Sequence, residues 1–347
     1  MPETETVPDT VPVDPLAVLP EAHDAADPYA RTDETFPRLT DDQVARVAAF
    51  GVVEDLPAGT VLFAIDDRGV DFFLVLSGHI EIYEQDPDGR HRVMTVHAEH
   101  QFTGELDLFH DRAILVGGRM GVDGRVARLG RAQFRRLLAA EPDIADIVMR
   151  ALILRRTGFV SHGHAAVTLV GPRGSADTLR LRRFLARNGH PVQTLEPGTD
   201  AEADSRLAEA GIDPDECPVV AFCPPDRILR CPSTAELAEC LGISERLDVT
   251  QVVDVAVVGA GPAGLAAAVY AASEGLRTVV LEAEAPGGQA GTSSRIENYL
   301  GFPTGVSGQT LADRAQVQAQ KFGARIVVPR RAVALRVDQQ PDALEQD

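Results

Sequence analysis

The feature that most restricts the fold is a spaced run of glycines, Gly259-Ala260-Gly261-Pro262-Ala263-Gly264. It lies between an apolar segment, Val253 to Val258, broken only by Asp254, and an alanine-rich segment, Ala263 to Glu274. A G-x-G-x-x-G run between a strand and a helix predicts a βαβ unit, which the strand expected over Arg277 to Leu281 completes. Each glycine has a separate reason: Gly259 for a tight turn, Gly261 for close approach of a ligand to the backbone, Gly264 for helix–strand packing. Pro262 and Ala263 open the helix, whose free amides and positive dipole end favour phosphate oxygens. Glu282 ends the second strand 18 residues past Gly264. A carboxylate there accepts hydrogen bonds from ribose hydroxyls and repels a 2′-phosphate. The expected ligand is FAD or NAD rather than NADP; on these residues alone, the alternative is a glycine-rich turn in an unrelated α/β domain.

Charge excludes several other functions. The chain of 347 residues has 33 basic and 52 acidic side chains, a net charge of −19. That balance argues against nucleic-acid binding and against docking to an anionic membrane. No apolar run is long enough to span a bilayer, and the acidic, proline-rich N-terminus is unlike a signal peptide. Cys217, Cys223, Cys231 and Cys240 have gaps of five, seven and eight residues, unlike zinc spacing, and form no C-x-x-C. A reducing cytoplasm is expected. Cys223 and Cys240 read as small buried residues, and Cys217 as the cysteine to test for reactivity. The histidines show no ligand spacing with acids; His162 and His164 read as solvated linker residues.

Four segments are expected. Residues 1–37, with seven of the 23 prolines, read as a disordered acidic tail. Residues 38–160 open with a capping box at Thr40 and Gln43. Short strands follow at Val61 to Phe63, Phe72 to Leu76, His79 to Tyr83 and Arg92 to Val96, then a helix over 131–157 interrupted at Glu141-Pro142. They predict a small barrel or sandwich. Residues 165–245 read as βαβαββα, with a second capping box at Ser233 and Glu236. Residues 251–347 hold the βαβ unit and two further strands, Arg325 to Val328 and Ala332 to Val337.

Beyond Glu282 come Pro286-Gly287-Gly288-Gln289 and Ile296-Glu297-Asn298-Tyr299-Leu300-Gly301-Phe302-Pro303. With the GAGPAG run, these resemble the flavin-binding half of thioredoxin reductase over residues 253–337. The resemblance implies FAD as cofactor, with Gly287, Gly288 and Gln289 lining the flavin and Asn298 bonded to it. On residue type alone, Asn298 is a turn cap. In that family an inserted domain carries a second fingerprint for NADPH and a C-x-x-C pair, and hydride passes from NADPH to flavin to dithiol. Neither motif occurs here, and 88 residues follow Gly259. The expectation is therefore a C-terminally truncated reductase, with NADPH used only by a full-length relative.

Residues 38–157 resemble a cyclic nucleotide-binding domain through Pro57-Ala58-Gly59, the run Phe72 to Tyr83, and Phe102-Thr103-Gly104-Glu105-Leu106 with Arg112 beyond. The resemblance implies that Gly104 and Glu105 begin the phosphate cassette, Glu105 taking the ribose hydroxyl and Arg112 the cyclic phosphate. Arg112-Ala113-Ile114 lacks the family's hydroxyl residue. The middle segment resembles a glutaredoxin or thioredoxin fold, with Pro218 as its cis-proline and Gly171-Pro172-Arg173-Gly174 where the dithiol belongs.

The combined expectation is a multidomain α+β and α/β chain: a cyclic nucleotide-binding-like β-barrel, a redox-inert thioredoxin-like domain, and a partial Rossmann-type FAD-binding domain. Expected partners are a cyclic nucleotide or other small ligand, a thioredoxin-like protein and a second copy of the chain. The function read is a ligand-regulated pyridine nucleotide-disulfide oxidoreductase, incomplete and inactive as this chain. The alternative is a non-catalytic sensor or adaptor.

Overall fold

The structure, a computed structural model, describes residues 19, 21–24, 27–85, 90–104, 108, 112–162, 167–223, 227–244, 247 and 250–336. Order begins earlier than expected. Asp27 caps a 3-10 turn, Pro28–Ala30, and helix α1 (Thr32–Thr35) follows. Thr35 and Phe36 are buried, so the last third of the expected tail is packed structure. Helix α2 (Asp41–Ala48) starts at the Thr40/Gln43 capping box.

Seven strands form two antiparallel sheets: β1 (Val52–Leu56), β2 (Val61–Phe63), β3 (Phe72–Ser77), β4 (Ile80–Gln85), β5 (His91–His97), β6 (Gly117–Met120) and β7 (Gly124–Leu129). The orders are β1-β7-β3 and β2-β6-β4-β5. Inward residues of both sheets, among them Phe63, Val75, Ile82 and Val126, share one core. Gly78 turns the β3–β4 hairpin at φ +78°, where a Cβ would meet the Asp123 carbonyl at 2.9 Å. Helices α3 (Arg131–Ala140) and α4 (Pro142–Ser161) follow. The break falls at Glu141 because Pro142 has no amide to continue α3 but suits the first turn of α4.

The middle unit has β8 (Val167–Val170), α5 (Ala176–Arg187), β9 (Val192–Leu195), α6 (Ala201–Glu209), β10 (Val220–Cys223), β11 (Arg227–Arg230) and α7 (Thr234–Cys240). The sheet order is β11-β10-β8-β9; only β8 and β9 are parallel. Both partners of the Ser233/Glu236 capping box are present. The expected cis bond at Pro218 is not formed; the cis bond among the described residues is Val328–Pro329. The turn from Asp213, whose carbonyl accepts the Cys217 amide at 3.0 Å, delivers the chain to β10 with the ordinary trans isomer.

The last unit has β12 (Val255–Val258), α8 (Pro262–Ser273), β13 (Thr278–Leu281), α9 (Gly308–Lys321) and β14 (Arg325–Val327). Its three strands are parallel in the order β12-β13-β14. No strand forms over 332–336, and Val337 lies outside the described residues. Val333 and Leu335 are about nine-tenths exposed, with nothing to bury a strand face against. The middle and last units are not separate bodies. Leu181, Leu241 and Val219 belong to one buried apolar cluster with Leu265, Val280 and Ile326.

Candidate functional site

The glycine turn joins β12 to α8. Gly259 has φ +93°, and its amide donates to the Leu281 carbonyl at 2.8 Å, closing the turn over β13. A Cβ on Gly264 would lie 2.0 Å from the Gly259 carbonyl oxygen, so helix and turn meet there without room for a side chain. Gly261 is different: nothing lies within 4 Å of where its Cβ would sit. It is the N-cap of α8 and supplies no side-chain cap, which leaves the first helical amides facing that open space. Glu282 is fixed beneath the turn. One carboxylate oxygen accepts the Ala260 amide at 2.7 Å and the other the Glu284 amide at 2.8 Å. Each oxygen keeps a second acceptor position for a hydroxyl.

The Pro286–Gly288 loop lies directly on this turn. The Gly287 amide donates to the Ala260 carbonyl at 2.7 Å, and a Cβ on Gly288 would come within 3.2 Å of Gly261 Cα. Gly287 and Gly288 both have positive φ. Gln289 is exposed and caps a 3-10 turn, Ala290–Thr292. Asn298 is exposed on the loop closed by the Ile296–Val306 bridge, and Tyr299 of that loop lines a small cavity together with Pro262 and Gly287. An open glycine cradle, uncapped helix amides and a pinned carboxylate fit the diphosphate and ribose of a dinucleotide.

A second site lies inside the sandwich. A cavity of about 80 Å³ is lined by Phe36, Phe63, Ile82, Met94, His97, Gly104 and Arg155, among others. It is small against the roughly 300–1,000 Å³ of drug-sized sites. Burial pushes the His97 pKa well below the ordinary histidine value, with the nearby Arg155 charge adding to the effect. Arg155 donates to the carbonyls of Thr35 and Phe102 and lies over the Phe36 and Phe102 rings. Gly104 lines this cavity, and Glu105 lies outside the described residues. Arg112 is not at this cavity. It is buried on the face toward the middle unit, where it donates to the Asn188 carbonyl at 3.5 Å. Residue 113 docks against the turn after α7 instead: the Ala113 amide donates to the Gly242 carbonyl at 3.2 Å. The cation that lines the cavity comes from α4, which sequence reasoning missed because the apolar helix pattern hides a single inward arginine.

The turn after α5 connects all three units. Arg156 donates to the Gly189 carbonyl at 2.8 Å. Asn188 donates to the Glu284 carbonyl at 3.0 Å, and Arg187 to the Gly288 carbonyl at 2.7 Å. A cavity of about 510 Å³ opens there, lined by Arg112, Arg156, Arg187, Asp313 and Arg314 among others. In the middle unit, a Cβ on Gly171 would meet the Pro218 carbonyl oxygen at 2.6 Å, so that loop position has no room for a thiol-bearing side chain. The cysteines come together in pairs that their spacing conceals. Cys217 is in hydrogen-bond contact with Cys231, and burial first, then that contact, pushes its thiol up. Cys240 is lowered to about 7 by its contact with Cys223, with Arg227 nearby. Cys217, singled out from sequence, is thus the less reactive choice.

These elements define the class: an antiparallel ligand-binding sandwich joined through a small α/β unit to a parallel dinucleotide-binding sheet. Residues 53–141 match the family described as the cyclic nucleotide-binding domain, and residues 254–340 match the FAD binding domain. Over 73 residues the chain is 51% identical to thioredoxin reductase of Treponema pallidum (strain Nichols), covering 21% of this chain and 24% of that protein. Over 77 residues it is 42% identical to NADPH-dependent thioredoxin reductase 3 of Arabidopsis thaliana, covering 21% and 15%. The chain thus spans a quarter or less of the length of these relatives. A solved structure, the N-terminal domain of a transcriptional regulator from Streptomyces coelicolor A3(2), is similar at 27% identity and TM-score 0.30, covering 36% of this chain and 89% of that one. The chain therefore carries a cyclic nucleotide-binding domain fused to an FAD-binding, thioredoxin reductase-like region. Its cofactor is FAD. Among the described residues no helix is long and apolar enough to cross a membrane.

Proposed function

We propose that this chain supplies the FAD-holding part of a thioredoxin reductase-like flavoprotein and that its sandwich senses a small ligand on behalf of that part. The observation that carries this reading is the Gly259–Gly264 turn with Glu282 pinned under it. The diphosphate fits at the amides of Ala263 and Gly264, over Gly261, and the ribose at Glu282. The Gly287–Gly288 loop, Gln289 and Asn298 then face the flavin. When bound, FAD supplies reversible two-electron chemistry. The protein's own residues hold it, exclude water and fix its orientation. No described loop presents a dithiol at the Gly171–Gly174 position, so we assign the middle unit a connecting role. Its sheet order and the approach of Pro218 to Gly171 support a thioredoxin-like fold. A thioredoxin-type protein and a second copy of the chain are the partners we propose, in a reducing compartment.

The test is the visible spectrum of the purified full chain before and after adding FAD. Two flavin bands that stay with the protein through gel filtration are expected. A colourless chain that does not quench FAD fluorescence overturns the reading. Thermal shift with cAMP and cGMP tests the sandwich, since a ligand that binds only the folded state raises stability by mass action.

A further inference from the structure

The buried end of α4 holds a cluster that the flavin and nucleotide sites do not use. His162 is the C-cap of α4, and its Nε2 lies 2.8 Å from Asp27 Oδ2. Both side chains are nearly inaccessible, at 4% and 3% exposure. Asp27 is held in place from its own segment, with the His23 amide donating to Oδ2 at 2.8 Å and the Tyr29 amide to Oδ1 at 2.9 Å. His23 is solvent-exposed, yet its ring stacks on that of His162 with centroids 4.3 Å apart. One donor atom from each of His23, Asp27 and His162 lies within 4.8 Å of the others.

We propose that His23, Asp27 and His162 bind one Zn²⁺ ion. Two imidazole nitrogens and one carboxylate suit zinc, whereas calcium and magnesium prefer oxygen ligands. Zinc–ligand distances of about 2.0–2.2 Å place neighbouring donors of a tetrahedral site roughly 3.3 Å apart. The His162–Asp27 pair, hydrogen-bonded at 2.8 Å, must open by about 0.5 Å to reach that spacing once the ion replaces the shared proton. The exposed His23 ring, whose donor atom lies within 4.8 Å of the other two, closes the site by turning out of its stack on His162. Three protein ligands leave a fourth position for water, reached from the His23 side. Two of the ligands, His23 and Asp27, are near in sequence, and the third is at the end of α4, 135 residues beyond Asp27. Zinc therefore fastens the N-terminal segment to α4. Tyr29, stacked on His162 at 4.7 Å, and Phe36 follow in that segment and line the sandwich cavity, so the ion braces one wall of it.

The experiment uses the full chain stripped with a chelator, titrated with Zn²⁺ by calorimetry and with Co²⁺ by absorption. One ion per chain is expected, and the cobalt spectrum should lack the near-ultraviolet thiolate band. His23→Ala should weaken Zn²⁺ binding about tenfold or more, and His162→Ala should abolish it. Because His23 is exposed, its variant keeps the fold even where the buried His162 variant does not. The proposal is overturned by no saturable binding to the wild type, by unchanged affinity in His23→Ala, or by a thiolate band that assigns the ion to the cysteines.

Discussion

Gly261 and Gly264 sit three residues apart in one motif and do opposite work. At Gly264 the space is taken by backbone, and Gly264→Ala forces a methyl toward the Gly259 carbonyl. Overpacking of that kind costs about 1–3 kcal/mol, which urea unfolding will register. At Gly261 the space is empty on the protein side. Gly261→Ala should change stability by no more than about 1 kcal/mol, as for an N-cap exchange, while lowering FAD affinity about tenfold. Equal loss of stability in both variants would contradict the division of roles. The cysteines give a second residue-level expectation. Thiolate character governs reactivity, so brief alkylation near neutral pH should label Cys240, lowered to about 7, and the exposed Cys231 ahead of Cys217 and Cys223. Mass spectrometry of the digested chain reads this directly, and prior labelling of Cys217 would refute it.

At the scale of elements, local chemistry was readable where it is complete within a few residues. The capping boxes at Thr40/Gln43 and Ser233/Glu236 are both formed, because each needs only four consecutive residues. Ser233→Ala should cost about 1 kcal/mol, visible as a lower urea midpoint, since it leaves the first amides of α7 without their acceptor. The strands that escaped reading, β1, β6 and β7, lack clean alternation. β6 opens with Gly117-Gly118, glycines kept because Tyr83 and Phe63 fill their side-chain space. Helix α9 escaped for another reason. Its buried face mixes Leu311 and Val317 with Ala312, Ala319 and Gln320, too weak an apolar stripe to stand out. Only the Ser307 cap, accepting the Thr310 amide at 3.1 Å, signalled it. The glycine turn, Glu282 beneath it and the Gly287–Gly288 loop upon it were legible because they lie in short motifs. The outward turn of Arg112 was not, since packing between units decides it.

At the scale of the molecule, two buried histidines are expected to make stability fall as the solution is acidified. Burial, with Arg156 and Arg112 nearby, lowers His190 from 6.5 to about 3, and His97 is lowered in the same direction. Well above pH 6.5 each is neutral in both folded and unfolded states. As pH falls from there toward 3, the unfolded chain takes up a proton at His190 that the folded chain refuses, so stability drops by up to about 1.4 kcal/mol per pH unit, and His97 acts in the same direction. His190→Gln should flatten this slope in urea titrations between about pH 7 and 5, and an unchanged slope would clear His190 of the effect. His190 closely follows the turn that links the three units, and the sharpest whole-molecule test lies in that turn. Arg187, at the end of α5, bonds the Gly288 and Ala285 carbonyls and the Glu284 carboxylate, all in the loop that covers the glycine cradle. Hydrogen bonds from a charged donor contribute about 1.5–3 kcal/mol, so their loss should loosen that loop. Arg187→Ala should therefore weaken FAD binding about tenfold although Arg187 lies outside the flavin-binding unit. Arg180, on the same helix, bonds Thr234 and Asp177 instead and serves as the control. If the two alanine variants bind FAD alike, the middle unit is a passive spacer. If only Arg187→Ala weakens it, the turn after α5 is the contact through which the sandwich, holding Asn188 and Gly189 by Arg112 and Arg156, can reach the flavin loop.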